Sequence, residues 1–278
     1  MLLTSRLPIL ALSGAMLMAS AGSLAAQRAD WETKEMRGVG IEEQLGASVP
    51  MDLEFVDPEG TKVRLGDLFD GERPTVLTLN YANCPQLCGL QLNGFIESLN
   101  EMDQWSVGEQ FQVITVSLDP NETAEMAMGF RERVLGGYDR PEARAGWSFL
   151  RGSEKDVRHL ADTVGFHYNA VEDNGQFAHT AAIMLLDPKG TVSRYLYGIE
   201  YPPATLRLSL AETASSKFVS TVDALILRCF QYDAASGTFV ADAWKLTRIV
   251  LSIMAAILFA FLGWLFLTER RVRKQTSA

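Results

Sequence analysis

The sequence predicts an α/β domain of three layers around a mixed sheet, followed by one membrane-spanning helix near the C-terminus. Three observations predict it. Two apolar, β-rich runs, 74–80 and 111–117, have the length of buried strands, and each leads into a segment of helical spacing. Two pairs of short alternating segments are joined by Asp-Pro-x-Gly turns, at Asp57-Pro58-Glu59-Gly60 and Asp187-Pro188-Lys189-Gly190, which is hairpin chemistry. Residues 249–267 form a run of 19 without a charge, just long enough for a helix to cross the roughly 30 Å hydrocarbon core.

Composition agrees with a folded chain and narrows its partners. The 278 residues are 47% hydrophobic and 21% charged, which excludes a mainly disordered chain. The net charge of −9 makes nucleic acid an unsuitable partner. The charge is also unevenly placed. Residues 27–247 carry 19 cations against 33 acids, a net of −14, while most remaining cations gather at the C-terminus.

The elements follow in order. Residues 1–26 hold one charge, Arg6, then an apolar run and small residues ending at Ala25-Ala26, the pattern of a secretory signal. No Cys stands near that cleavage site to accept a lipid, and no twin-Arg pair precedes it. Residues 27–47 are polar and mixed and read as a linker. The main domain is expected over 48–210. It opens with the first hairpin and the buried strand 74–80. Residues 85–103 have Cys88, Leu92, Phe95, Ile96 and Leu99 spaced to share one helix face. After strand 111–117, Asp119-Pro120-Asn121-Glu122 reads as a helix start, with an N-cap, Pro at the first position and Glu three residues after the cap. Trp147–Leu150 is a short strand, and Ser153 with Asp156 caps a helix whose Val157, Leu160, Ala161 and Val164 face inward. Thr180–Leu186 and Thr191–Tyr197 make the second hairpin.

Residues 211–246 read as a mainly helical extension with a turn at Asp233–Gly237. Arg270, Arg271, Arg273 and Lys274 follow the span 249–267 and place the tail 268–278 in the cytoplasm. Export with this orientation puts the main domain in the periplasm, on the outer face of the cell inner membrane.

Three Cys in an exported chain leave at least one thiol unpaired. Cys84 and Cys88 lie beyond a buried strand at the opening of a helix, where Pro85 suits the first helical position and the N-terminus lowers thiol pKa. If the turn is helical, a spacing of four puts both sulfurs on one face. A C-x-x-x-C pair can be a redox couple, a soft-metal site or a plain disulfide. Of the three His, His159 falls on the polar side of its helix and reads as solvated, and His167 reads as structural. His179 stands at the mouth of a central strand, where α/β sheets hold their sites. Cys229 ends the apolar face Phe218/Val222/Leu225 and reads as a buried small hydrophobe.

At these residues the chain resembles the Sco/SenC family, thioredoxin-like copper-binding assembly factors for cytochrome c oxidase. The matching elements are Asn80-Tyr81-Ala82-Asn83-Cys84-Pro85-Gln86-Leu87-Cys88, Val116-Ser117-Leu118-Asp119-Pro120 with Glu122-Thr123, and His179 ahead of Ile183–Gly190. The resemblance implies a thioredoxin-like domain and a metal site of Cys84, Cys88 and His179 holding copper, as Cu(I) with Cu(II) the second form. It implies a metallochaperone rather than an enzyme, delivering copper to the copper-bearing subunit of cytochrome c oxidase or to another periplasmic cuproprotein. The alternative is a thiol–disulfide oxidoreductase in which Cys84 and Cys88 are the redox pair. The chain departs from the family at Gln86 and Ala178, where Asp is common, and at Gly89, where Pro is common.

Overall fold

The computed structural model describes residues 36–102, 105–171, 175–214, 230–233, 238–241 and 243–276. The chain runs β1 (Gly40–Ile41), β2 (Glu54–Val56), β3 (Lys62–Arg64), β4 (Thr75–Asn80), α1 (Leu87–Glu101), β5 (Gln112–Ser117), α2 (Ala124–Gly136), β6 (Trp147–Gly152) and α3 (Glu154–Thr163). It continues through β7 (Phe166–His167), β8 (Asn169–Val171), β9 (Gln176–Ala178), β10 (Ala182–Leu186), β11 (Val192–Tyr197) and α4 (Pro203–Thr213). After these come β12 (Phe230–Asp233), β13 (Thr238–Ala241) and α5 (Ala243–Thr276). The signal segment 1–26, residues 27–35 of the linker, Cys229 and residues 277–278 of the tail lie outside the described residues.

Seven strands form one sheet in the order β11-β10-β4-β5-β6-β2-β3. Strands β4, β5 and β6 are parallel, as their helical connections require. The hairpin partners β10 and β11 are antiparallel, and β10 is antiparallel to β4. At the other side β2 pairs antiparallel with β6 and β3. The sheet is mixed, and the β11-β10-β4-β5 order is the thioredoxin-like arrangement.

Alternation along the buried strands makes two cores. Val76, Val113, Ile183 and Leu185 point to the face covered by Leu92, Phe95 and Leu99 of α1, Phe130 and Val134 of α2, and Leu206 and Leu210 of α4. Leu77, Leu79, Ile114, Val116, Met184 and Leu186 point to the other face, covered by Val157, Leu160 and Ala161 of α3 and by Phe55 and Leu65. Two buried threonines on the first face pair with each other. Thr78 Oγ1 lies 2.9 Å from Thr115 Oγ1, which also accepts from Trp147 Nε1 at 2.9 Å.

Both turn-joined hairpins form where the turn chemistry placed them. In the second, Asp187 Oδ1 accepts from Lys189 N and Thr191 N, each at 2.8 Å. Gly190 there has φ +78°, and a Cβ would press on Val49 and Met51.

The domain begins earlier than the expected linker boundary. Residues 46–49 run along β11, with Gly46 N donating to Val192 O at 2.8 Å and Val49 N to Gly190 O at 3.0 Å. This covers an otherwise open sheet edge. Just upstream, β1 pairs with β7, and Gln44 N donates to Tyr195 OH at 3.0 Å. These ties are backbone pairings to distant segments, which local polarity does not reveal.

Two local expectations change. Helix α2 is capped by Thr123, whose side chain accepts from Met126 N, not by Asp119. Asp119 instead closes a turn, accepting from Asn121 N at 2.8 Å, which frees Glu122 to turn inward. Beyond α4, where a mainly helical extension is expected, β12 and β13 form an antiparallel hairpin. Residues 215–229 between them and α4 lie outside the described residues.

Helix α5 contains the uncharged run 249–267. Among the described residues no helix is long and apolar enough to cross a membrane. The side chains of 249 and 265–276 lie outside the described residues.

Candidate metal centre

Strand β4 ends at Asn80, and the chain turns at Tyr81–Cys84, with Cys84 N donating to Tyr81 O at 3.3 Å. Helix α1 starts only at Leu87, with Gln86 as N-cap. Cys84 therefore precedes the helix, and Pro85 lies outside it rather than at its first position. The two sulfurs do not meet by helical spacing. Instead Cys84 Sγ sits over the helix start and accepts from Cys88 N at 3.2 Å. That satisfies one of the open N–H groups of the first turn.

Cys88 is on the buried face of α1, 1% exposed, while Cys84 is half-buried and both are free thiols. Their proton affinities diverge. The Cys84 thiol is pulled well below the ordinary range, chiefly by the hydrogen bond from Cys88, with the helix-start N–H groups adding. Cys88 is pushed up by that same bond, by burial and by the charge on Cys84. Of the two, Cys84 is the one disposed to the thiolate and Cys88 the one disposed to keep its proton.

His179 lies in the short link between β9 and β10 and is 6% exposed. Its Nδ1 is 3.0 Å from Thr180 O. A carbonyl only accepts, so Nδ1 carries the proton and Nε2 keeps its lone pair. Nε2 lies 3.5 Å from Cys88 Sγ. The ligand atoms of Cys84, Cys88 and His179 all fall within 4.8 Å of one another. Among the described residues this is the only group of three or more His, Cys, Asp and Glu that could hold a metal ion. Two sulfurs and one imidazole are donors for a soft metal.

An aromatic wall backs the imidazole. The rings of Tyr81 and Phe166 lie 6.1 and 6.0 Å from that of His179. Tyr81 OH accepts from Phe177 N at 3.2 Å, tying the cysteine turn to β9, and burial pushes the Tyr81 phenol up to about 12. Buried Gln91, one turn past Cys88, makes a second tie. Its Oε1 accepts from Asn80 Nδ2 at 3.0 Å and its Nε2 donates to Ala182 O at 2.8 Å. It thereby joins the end of β4, which leads into the cysteine turn, to the start of β10, which follows His179. Glu122, 5% exposed, makes a third, accepting from Ala82 N at 2.8 Å and from Ser117 Oγ at 2.7 Å. Burial raises its pKa.

Of the residues singled out from sequence, Cys84, Cys88 and His179 are brought together. His159 is exposed, and His167 pairs in β7 with Nε2 3.7 Å from Glu42 Oε2. Cys229 lies outside the described residues. Gln86 and Gly89 are exposed at the rim. Sequence reasoning missed Tyr81 and Gln91, and placed Glu122 in a cap. A polar Gln91 beside the apolar stripe of Cys88, Leu92 and Phe95 is the signal that points to it.

The profile of the SCO1/SenC family matches residues 42–214. The chain belongs to the SCO1/SenC family. The match runs from Glu42, just after β1, to the end of α4. Among solved structures, a proposed electron transfer protein from Aquifex aeolicus VF5 is 25% identical, with a TM-score of 0.53 over 60% of this chain and 93% of its own. A proposed electron transport protein of the same organism is also 25% identical, with a TM-score of 0.50 over 60% and 96%. ScoI from Bradyrhizobium japonicum, solved with copper bound, is 21% identical with a TM-score of 0.44 over 58% and 94%. No curated protein matches the chain. As a SCO1/SenC protein it keeps the family's Cys pair and His, and Gln86, Gly89 and Ala178 remove none of the three.

Proposed function

We propose that this chain is a copper chaperone tethered to the outer face of the inner membrane, which matures the binuclear copper centre of cytochrome c oxidase. The observation that carries this reading is the convergence of two sulfurs and an unprotonated imidazole nitrogen within 4.8 Å. Cu(I) is soft and accepts few ligands, so the donor set suits it. Copper is the cargo. Loading releases the proton of Cys88, while Cys84 is already disposed to the thiolate, so binding strengthens as pH rises. Joining the two sulfurs in a disulfide would remove both donors, which couples holding copper to thiol redox state. SCO1/SenC membership supports the oxidase subunit as recipient, with another periplasmic cuproprotein as the other client of the same chemistry.

A second reading is favoured by the thiolate–thiol asymmetry. In a thiol–disulfide oxidoreductase, Cys84 attacks a client disulfide and forms a mixed disulfide, releasing one client thiolate. Cys88 gives up its proton and attacks the Cys84 sulfur, and the second client thiolate leaves. The client gains two electrons, and the chain is left as the Cys84–Cys88 disulfide. One titration separates the readings. The reduced full chain should take up one Cu(I) and the oxidised chain none. No uptake by the reduced chain, with reduction of a client disulfide, would replace chaperone by reductase.

The membrane tether rests on α5. Val250, Leu251, Ile253, Met254, Ile257, Leu258, Phe259, Phe261, Leu262 and Trp264 are each at least 50% exposed. So contiguous an apolar surface needs a non-aqueous surrounding. The cations at 270–274 hold the tail inside, and the acidic middle segment does not oppose export. On intact spheroplasts, an impermeant thiol reagent should label Cys84 and a C-terminal tag should resist external protease. A tag digested from outside, with Cys84 protected until lysis, would invert the orientation and end the periplasmic reading.

A further inference from the structure

The three sulfur and nitrogen donors are not held alike. Cys88 is fixed in the core by α1, and His179 is buried and pinned by its Nδ1 bond. Cys84 is half-buried and belongs to a turn closed by one 3.3 Å backbone bond. Its place depends on what holds that turn. Within the turn, Ala82 is gripped at both polar ends. Glu122 Oε2 accepts from Ala82 N at 2.8 Å, and Arg133 Nη2 donates to Ala82 O at 3.3 Å.

The grip is anchored to rigid structure. Glu122 Oε2 also accepts from Ser117 Oγ, at the last residue of β5, opposite Asn80 in the parallel ladder. The Glu122 carbonyl accepts from Arg151 Nη1 at 3.4 Å. Arg133 projects from α2, whose start is fixed by the Thr123 cap, and its guanidinium lies 5.8 Å from the centre of the Phe130 ring. A carboxyl 5% exposed is costly to hold there. The sheet and α2 have no need of it for packing, since both are already filled by apolar side chains.

We propose that Glu122 and Arg133 are positioning residues that clamp the Ala82 peptide and so set the Cys84 sulfur against Cys88 and His179. The proposal rests on the metal-binding reading above for its purpose, but the clamp is testable without metal. Equilibrating the reduced full chain with oxidised glutathione forms the Cys84–Cys88 disulfide and two molecules of reduced glutathione. The position of that equilibrium reports how closely the turn holds the two sulfurs.

Glu122→Ala should lower the effective thiol concentration, and Cu(I) affinity with it, by about tenfold, the effect of leaving the Ala82 N–H and the Ser117 hydroxyl without their acceptor. Glu122→Gln should recover most of both, because one amide oxygen can accept from Ala82 N and Ser117 Oγ as Oε2 does. Arg133→Ala, at a more exposed site, should lower both by about threefold. If Glu122→Ala fails to fold, Arg133→Ala decides alone. Values within about twofold of the parent in the folded Ala variants would overturn the clamp. So would a Glu122→Gln as damaging as Glu122→Ala, since that would make charge and not position the cause. A parent that binds no Cu(I) would end the copper reading while the glutathione equilibrium still judged the clamp.

Discussion

His179→Ala should bind Cu(I) more weakly than the parent by more than about 100-fold, beyond what loss of a residue that only orients a ligand costs. The expectation follows from the free lone pair on Nε2 and its 3.5 Å approach to Cys88 Sγ. Removing the ring leaves two sulfurs at the mouth of a wall of Tyr81 and Phe166, with no other donor from His, Cys, Asp or Glu in the group. Cys84→Ser and Cys88→Ser should each cost at least as much, because a hydroxyl stays protonated and is a hard, neutral donor. Competition with a Cu(I) chelator measures all three. A Cys88→Ala protein should also lose much of the depression of the Cys84 thiol, since the side-chain bond from Cys88 is its first cause. A His179→Ala protein that holds copper as tightly as the parent would leave a site made by the Cys pair alone.

Gly165→Ala should destabilise the domain by about 2–4 kcal/mol, combining left-handed strain with overpacking. Gly165 has φ +62°, and a Cβ there would overlap the carbonyl oxygen of Glu42. The same junction carries the Glu42 N to Gly165 O bond at 2.9 Å and the β1–β7 pairing. Relief requires the arm at residues 40–44 to move away from α3 and β7. Phe166, against the His179 ring, is the next residue, so the metal centre should loosen with it. Urea unfolding measures the loss, and limited proteolysis should cut the arm of the variant before the rest of the domain. A variant with the parent's unfolding midpoint would show that the arm contributes little to the fold.

How much of this was legible in the sequence depends on the range of the forces involved. The two Asp-Pro-x-Gly hairpins and the strands at 74–80 and 111–117 were legible because turn residues and apolar runs act locally. Cys84, Cys88 and His179 were legible as a group through the family resemblance, because the residues alone left a redox couple, a soft-metal site and a plain disulfide open. The Ser153 cap was read correctly, since its partner Asp156 is three residues away and accepts and donates within the same turn. Asp119 shows the limit of the same rule. Its side chain was taken up by Asn121, and Glu122 was drawn to a backbone N–H 40 residues away. Residues 40–47 looked like linker because their partners, in β7 and β11, are distant backbone groups. The Cys84 geometry was misread for a related reason. A spacing of four fits a helix face, but the Tyr81–Cys84 turn delays the helix and puts the sulfur over its end.

Cys84, Cys88 and His179 together should hold one Cu(I). X-ray absorption at the copper edge of the Cu(I)-loaded full chain tests it most directly. The parent should show two sulfur neighbours and one imidazole nitrogen, and His179→Ala should lose the nitrogen signal. A parent spectrum of sulfur neighbours alone, unchanged by His179→Ala, would contradict it.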